Sequence, residues 1–209
     1  MSPLNLTDLR RWMCVAAGFG ALLNSAFATS VIAPDFDQLV NESDYIIRAV
    51  VKSVSSEYRA SPNGRVIITK VEVEVREVVA GIPPAQVVLE MLGGKVGDEE
   101  MILEGAPKFR VGDEDILFVS GNGRNIHPLY AMMHGRYPVM RETANGRAYM
   151  ARNNKVPLQD PAEVAQPMTE GSAAGLQRRL KSPAQALTPE QFVQHIKAAV
   201  KPGYVRPPQ

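Results

Sequence analysis

The sequence predicts a mainly β fold, a small antiparallel barrel or sandwich of about six to eight strands. Apolar and charged residues alternate over residues 71–76, and turn residues recur at intervals of about 8–12 residues. Half of the 16 glycines lie between Gly81 and Gly123, which is typical of bulges and tight corners in a curved sheet. We also expect an N-terminal signal helix and one C-terminal amphipathic helix after a Pro/Ala-rich linker.

The first 28 residues have the pattern of a secretory signal. Arg10 and Arg11 form a basic start, an apolar run follows, and Ala26 and Ala28 form the small-residue pair of a cleavage site. The apolar run is shorter than the roughly 20 residues that a membrane anchor needs. We therefore expect cleavage after Ala28 and no stable membrane insertion afterwards.

The flanks of the arginine pair favour a Sec-type signal over a twin-arginine signal, because Leu9 and Met13 fit the twin-arginine pattern poorly. The predicted location is the periplasm or the extracellular space. Cys14, the one cysteine, is lost with the signal, which excludes a disulfide framework and a thiol nucleophile. The remaining chain has equal numbers of basic and acidic side chains, so we expect no nucleic-acid partner.

Residues 29–156 form the predicted β domain. The strongest strand signal is 66–79, where Val71, Val73 and Val75 alternate with charged residues, as in a half-buried antiparallel strand. Asn145-Gly146 is a hairpin turn signal between the last two strands. The predicted strands are, in order, 45–54, 66–79, 86–92, 100–103, 115–120, 129–133, 136–143 and 147–152.

The C-terminal quarter has a different composition, since half of the 16 prolines lie from Pro157 onward. This composition predicts a linker over 157–187, a helix over 188–201 and a disordered tail over 202–209. Thr188, Pro189 and Gln191 supply a capping box, and the helix has an apolar stripe of Phe192, Ile196, Ala199 and Val200. Such a helix either docks on the β domain or binds a partner, and its shortness favours docking.

Residues that could bind a metal or cofactor are sparse, and none is predicted to do so. The three histidines, His127, His134 and His195, are not spaced as a metal site. The acidic segments 95–103 and 110–117 resemble one another and contain carboxylates beside a glycine, which Ca²⁺ could use. Their spacing does not match a calcium loop, and Gly-Asp-Glu before an apolar run is an ordinary turn into a strand. We therefore interpret both segments as turns.

The stretch 43–152 resembles an uncharacterised domain of exported bacterial proteins. The resemblance depends on an Asp before an apolar strand, a long amphipathic strand, a Gly-Gly pair, a Gly-x-Pro-x-Phe-x-x-Gly-Asp segment and a Leu-Phe strand. These elements are Asp44 with 45–51, the strand ending at Gly81, Gly93-Gly94, the segment with Gly105, Pro107, Phe109 and Gly112, and Leu117-Phe118. The family usually has Lys before the Gly at the end of the long strand, whereas Ala80 stands here. The resemblance implies a small barrel of oligonucleotide/oligosaccharide-binding or netrin-like type, and it implies no activity.

The glycines of these motifs are predicted to form corners with positive φ or close backbone contacts. Phe109, between Lys108 and Arg110, has two interpretations. It either plugs the end of the barrel or forms an exposed stacking platform between two cations, as in single-strand nucleic-acid binders. The neutral charge of the mature chain favours the plug.

Three functions remain open. The first is a non-enzymatic module that binds an envelope or extracellular protein or a glycan. The second is a netrin-like inhibitor or companion of an exported protease, which here lacks the N-terminal cysteine that known inhibitors use. The third is a hydrolase with paired carboxylates, such as Glu72 and Glu74 with Asp98 or Asp113. No catalytic motif supports the third, so a binding module is the prediction.

Overall fold

The computed structural model describes residues 32–62 and 64–204. The predicted signal peptide with its cleavage residues Ala26 and Ala28, and the last five residues of the predicted tail, lie outside the described residues. The strands are β1 (Tyr45–Ser61), β2 (Gly64–Gly81), β3 (Val87–Leu92), β4 (Gly94–Val96), β5 (Glu99–Met101), β6 (Glu114–Val119), β7 (Arg136–Arg141) and β8 (Ala148–Met150). The α-helices are α1 (Phe36–Asn41), α2 (Gly171–Leu180) and α3 (Pro189–Ala199).

Six strands form one antiparallel sheet in the order β3-β2-β1-β6-β7-β8, and β4 and β5 form a separate two-stranded sheet. The predicted mainly β, antiparallel fold is confirmed. Within the described residues no pairing joins β3 to β8. The six-stranded sheet is therefore open, where the sequence also allowed a closed barrel.

β1 and β2 form a long hairpin at the centre of the sheet. The alternation predicted for β2 is present, because Val71 and Val73 are buried on one face while Glu72 and Glu74 lie on the other. The pairing register shifts at three places along β1. Such bulges bend a strand and increase its twist. The bent hairpin extends past β6, which pairs with β1 only as far as Val50.

The sheet carries a core on each face, and β6 shows this most directly. Ile116 and Phe118 belong to one core, while Leu117 and Val119 belong to the other. Successive side chains of a strand point to opposite faces, so a strand that is apolar throughout needs cover on both sides. One core lies under the helices, and the second is covered by the chain between β3 and β6, with Phe109 inserted.

α3 docks on the sheet, as predicted. Thr188 and Gln191 form the expected capping box, and Pro189 occupies the first turn. Phe192 and Ile196 are fully buried against the sheet, with the Phe192 ring 5.2 Å from that of Tyr137. No helix among the described residues is both long and apolar enough to cross a membrane.

The strand predicted at 129–133 is wrong. Leu129 makes a single isolated bridge to Val119, and residues Met132–Gly135 form a 3₁₀ helix. Ala131 and Met132 have φ of 47° and 53°, a left-handed conformation that cannot continue a strand. Leu129 is the buried residue of this stretch, and the other four are partly exposed.

Residues 157–187, predicted as a linker, belong to the folded unit. They contain two 3₁₀ helices, Pro161–Ala165 and Pro183–Gln185, as well as α2. Leu158 and Val164 are fully buried in the core beneath the helices. The backbone also pairs beside β8, since Leu158 N–H donates to Met150 and Met150 N–H donates to Leu187. A proline-rich composition is common to linkers and to the first turns of helices. Here Pro161 and Pro183 each begin a 3₁₀ helix, so the composition alone was misleading.

Candidate binding site

The predicted corner residues fall into two places. Gly81 (φ 75°) ends β2 against the start of β1, where an added Cβ would lie 2.6 Å from the carbonyl oxygen of Asp44. The others meet around residues 102–113, which we call the corner loop. Two adjoining cavities open beside this loop.

The first, the apolar cavity, has a volume of about 280 Å³ and lies between the corner loop and the β1–β2 hairpin. Gly93, Gly94, Pro107, Lys108 and Phe109 line it, together with side chains such as Met91, Met101, Ile102 and Leu103. The structure thus brings together the Gly-Gly pair and the Pro-x-Phe element, which are distant in sequence.

Gly94 allows the two-stranded sheet to lie close to the hairpin. An added Cβ at Gly94 (φ 132°) would lie 2.2 Å from Thr69 Oγ1 and 2.5 Å from Ser56 Oγ. These hydroxyls are hydrogen-bonded to one another at 2.9 Å, and Thr69 also donates to the Gly93 carbonyl at 2.7 Å. Any larger residue at Gly94 would disrupt this network.

Arg136, at the start of β7, fastens the corner loop to the sheet. It donates to Asp115 at 2.8 and 3.1 Å and to Asp113 at 2.7 Å, and it also bonds the Lys108 carbonyl. Its guanidinium lies 4.3 Å from the centre of the Phe109 ring. Since Phe109 is buried beneath this cation, it is not an exposed stacking platform. The loop backbone is fixed while the side chains of Lys108 and Arg110 remain exposed.

Asp115 lies in β6, which pairs with β1 on one side and with β7 on the other, and its side chain is fully buried. Burial raises the pKa of its carboxyl group, and the charge of Arg136 opposes this effect. A buried charge is tolerated only when it is paired and hydrogen-bonded. Asp115 and Arg136 therefore depend on one another; the sequence placed Asp115 in the acidic segment 110–117, interpreted as a turn, and did not indicate its partner Arg136.

The second cavity, the polar cavity, has a volume of about 610 Å³ and lies on the other side of the corner loop. Lys108 and Ala106 line both cavities. The floor of the polar cavity includes Pro138 and Val139 of β7. Its charged lining consists of Lys108, Arg110, Asp113, Glu114, Arg136, Arg141 and Lys155.

Both acidic side chains of the polar cavity are already paired. Asp113 accepts from Arg136 at 2.7 Å, and it also accepts from the backbone N–H of Arg110 at 3.0 Å. Glu114 lies 2.7 Å from Arg48 and 3.6 Å from Arg141. Lys108, Arg110 and Lys155 have no carboxylate within 4.0 Å among the described residues. The cavity wall consequently carries an excess of positive charge.

Lys155 has an unusual backbone conformation. Its φ is 64° in the tight turn that Arg152 closes, with Lys155 N–H donating to the Arg152 carbonyl at 2.7 Å. Glycine and asparagine adopt this left-handed conformation more easily than lysine does. Non-glycine residues in such conformations occur more often at functional sites.

The carboxylates considered for hydrolysis do not lie together. Glu74 pairs with Lys52 at 3.1 Å and Arg76 at 2.6 Å, and the hydrogen bond from Lys52 lowers its pKa. Glu72 accepts from Ser53 at 3.2 Å, and Asp98 is exposed in the β4–β5 turn. Only Asp113 lines either cavity, and Arg136 holds it.

The three histidines do not cluster, and two of them, His127 and His134, are buried. Burial lowers the pKa of His127 and of His134 to about 4 in each case, and the nearby charge of Arg152 adds to the effect at His134. His195 is exposed on α3. Within residues 32–62 and 64–204, no group of three or more His, Cys, Asp or Glu side chains is placed to hold a metal ion.

Sequence reasoning identified the corner loop but missed Arg136, Arg141 and Lys155 as cavity residues. Asp115 was the one sequence signal that pointed to such a residue. It is a charged residue at the start of the apolar strand β6, and a carboxylate buried there needs a cation beside it. The identity of that cation depends on the β6–β7 register, in which Leu117 faces Arg136. Comparison of the chain with family models, with curated proteins and with solved structures finds no match.

Proposed function

We propose that this protein is a non-enzymatic binding module whose ligand occupies the polar cavity beside the corner loop. The observation that carries the proposal is the set of three cations, Lys108, Arg110 and Lys155, that line this cavity without a carboxylate partner among the described residues. A volume of about 610 Å³ is within the range of small-molecule sites, about 300–1,000 Å³.

The rigidity of the corner loop supports this proposal. Binding costs less when the site is already ordered, and Arg136 fixes the loop through Phe109, Asp113 and the Lys108 carbonyl. The binding side chains therefore project from a backbone that is held in place. The apolar cavity adjoins this site through Lys108 and Ala106, so a larger ligand can contact both.

The biological partner is proposed to be an envelope or extracellular protein or a glycan. This part depends on the signal-like residues 1–28, which we propose to be a Sec-type signal that is cleaved after Ala28. N-terminal sequencing of the protein recovered from its native envelope or medium should then begin at Thr29. A protein that begins at Met1 would overturn the export proposal.

The binding proposal is tested by capture on the immobilised mature protein, followed by direct titration of the purified ligand. A triple variant Lys108→Gln/Arg110→Gln/Lys155→Gln should lose the captured ligand. Because these side chains are exposed and unpaired, the variant should keep its melting temperature within a few degrees.

A matched control removes the same number of charges away from the cavity. This control variant is Lys52→Gln/Arg179→Gln/Lys201→Gln. It should retain the ligand with unchanged affinity in calorimetric titration. A ligand that binds the triple cavity variant as tightly as it binds the control would overturn the proposal.

A further inference from the structure

We infer that the polar cavity binds a small polyanion, a ligand with two or more carboxylates or with a phosphate group. This inference rests on the proposed function, because it names the chemical class of the ligand for the same cavity.

The first step is the charge that remains after internal pairing. Asp113 and Glu114 are the acidic side chains of the lining, and each already lies 2.7 Å from an arginine nitrogen. They are therefore neutralised from within the protein. Lys108, Arg110 and Lys155 line the cavity with exposed side chains and have no carboxylate partner among the described residues, and a ligand with several negative charges is the complement of three such groups.

The second step is the position of Lys155. The structure keeps a lysine at a φ of 64°, where glycine or asparagine would cost less. The turn is held by main-chain hydrogen bonds among Arg152, Lys155 and Val156 and by the Asn154 side chain, which accepts from Val156 N–H at 3.2 Å. What the lysine adds is a cationic side chain at a residue that lines the cavity.

The third step is the environment in which the anion would lie. Val50, Pro138, Val139 and Met140 provide apolar surface around the charged groups. Charges attract more strongly beside apolar walls than in bulk water. Arg110 and Arg141 present guanidinium forks, which match carboxylate and phosphate oxygens in pairs.

The test uses citrate and inorganic phosphate as probes in calorimetric titration of the full mature chain at physiological ionic strength. Triethyl citrate is the matched neutral control, since it has the same carbon framework without charge. We expect saturable, one-to-one binding of citrate or phosphate and no binding of triethyl citrate. Equal binding of triethyl citrate, or no binding of either anion, would overturn the inference.

Lys155 provides a variant that separates binding from folding. Lys155→Gly relieves the left-handed backbone, so its melting temperature should equal or exceed that of the unchanged protein. Its affinity for the anion should nevertheless fall about tenfold, as expected for one lost charge-assisted contact. Lys155→Arg should retain most of the affinity. Unchanged affinity in Lys155→Gly would contradict the inference.

Trigalacturonate, which carries carboxylates on a glycan, distinguishes the source of the anion. Tighter binding of trigalacturonate than of citrate assigns the anion to an acidic carbohydrate, and the reverse assigns it to a free small molecule. Both results support the inference. If the triple cavity variant loses a captured neutral ligand while the anions fail to bind, the inference fails and the proposed function stands. If capture does not depend on the cavity, the proposed function fails.

Discussion

At the scale of single residues, Arg136 has the greatest structural importance around the site. It is nearly buried and joins a fully buried carboxylate, an aromatic ring and the backbone of the corner loop. Replacing it leaves Asp115 as an unpaired charge in the interior. Arg136→Met should lower the free energy of unfolding by about 3–5 kcal/mol, measured by urea denaturation.

The double variant Asp115→Asn/Arg136→Met provides the control for this prediction. It removes the buried charge as well as its partner, so it should be more stable than Arg136→Met alone. A single variant within about 1 kcal/mol of the unchanged protein would contradict the prediction. The prediction would also be contradicted if the double variant lost as much stability as the two single substitutions added together.

The buried histidines should make stability depend on pH. Their pKa is about 4 in the folded state against an ordinary 6.5, so the unfolded chain binds more protons between these values. The free energy of unfolding should therefore fall as pH drops from 6.5 to 4, by up to about 1.4 kcal/mol per pH unit for each histidine.

The variant His134→Leu tests this pH dependence. Nδ1 of His134 has no hydrogen-bond partner among the described residues, so the substitution removes a titrating group without breaking a bond at that atom. The slope of stability against pH between 6.5 and 4 should be about half as steep, because His127 remains. An unchanged slope would show that other groups dominate the titration.

Individual residues were the hardest to predict from the sequence. Gly94 and Phe109 belong to recognisable local motifs, whereas the partnership of Asp115 with Arg136 depends on strand register. Asn153 and Asn154 mark the turn before Lys155 in the sequence, but they do not show that the left-handed residue is the lysine itself. The cavity that these residues line exists only after β7 and the corner loop come together.

At the scale of elements, the fit between the β4–β5 sheet and the hairpin depends on Gly94. Gly94→Ala should destabilise the fold through a steric clash with the Ser56 and Thr69 hydroxyls, in addition to the cost of the left-handed φ. Gly97→Ala is a matched control, since Gly97 has a φ of 59° with open space around its Cβ position. We expect about 1–2 kcal/mol for Gly97→Ala and about 1–3 kcal/mol more for Gly94→Ala. Equal losses in urea denaturation would contradict the clash.

Elements were predicted well where a local pattern decides the structure. The alternation in β2 and the capping box of α3 each act within a few residues, so the sequence contains the whole signal. The stretch 129–133 failed because apolar residues fit both a strand and a buried turn. The positive φ of Ala131 distinguishes the two, and the apolar pattern of the sequence does not reveal it.

At the scale of the whole molecule, an open sheet with a core on each face needs cover on both sides. Phe109 of the corner loop and Leu129 cover one face, and residues of α1, α3 and the segment 157–187 cover the other. The segment 157–187 completes this cover, although its proline-rich composition suggested a linker. The corner loop closes one core through Phe109, and it also lines both cavities.

The C-terminal cover should therefore be necessary for folding, which a pair of truncations tests. A chain ending at residue 187 lacks α3 and exposes the sheet surface around Phe118 and Tyr137, which Phe192 normally covers. Loss of such buried aromatic packing costs about 3–5 kcal/mol for Phe192 alone, a large share of the roughly 5–15 kcal/mol by which a domain is stable. We expect that chain to aggregate or to unfold without a cooperative transition in thermal melts followed by circular dichroism.

A chain ending at Tyr204 keeps every described residue and should melt like the full protein. Cooperative melting of the shorter chain within a few degrees of the longer one would show that α3 is an appendage, as the alternative of a partner-binding helix requires.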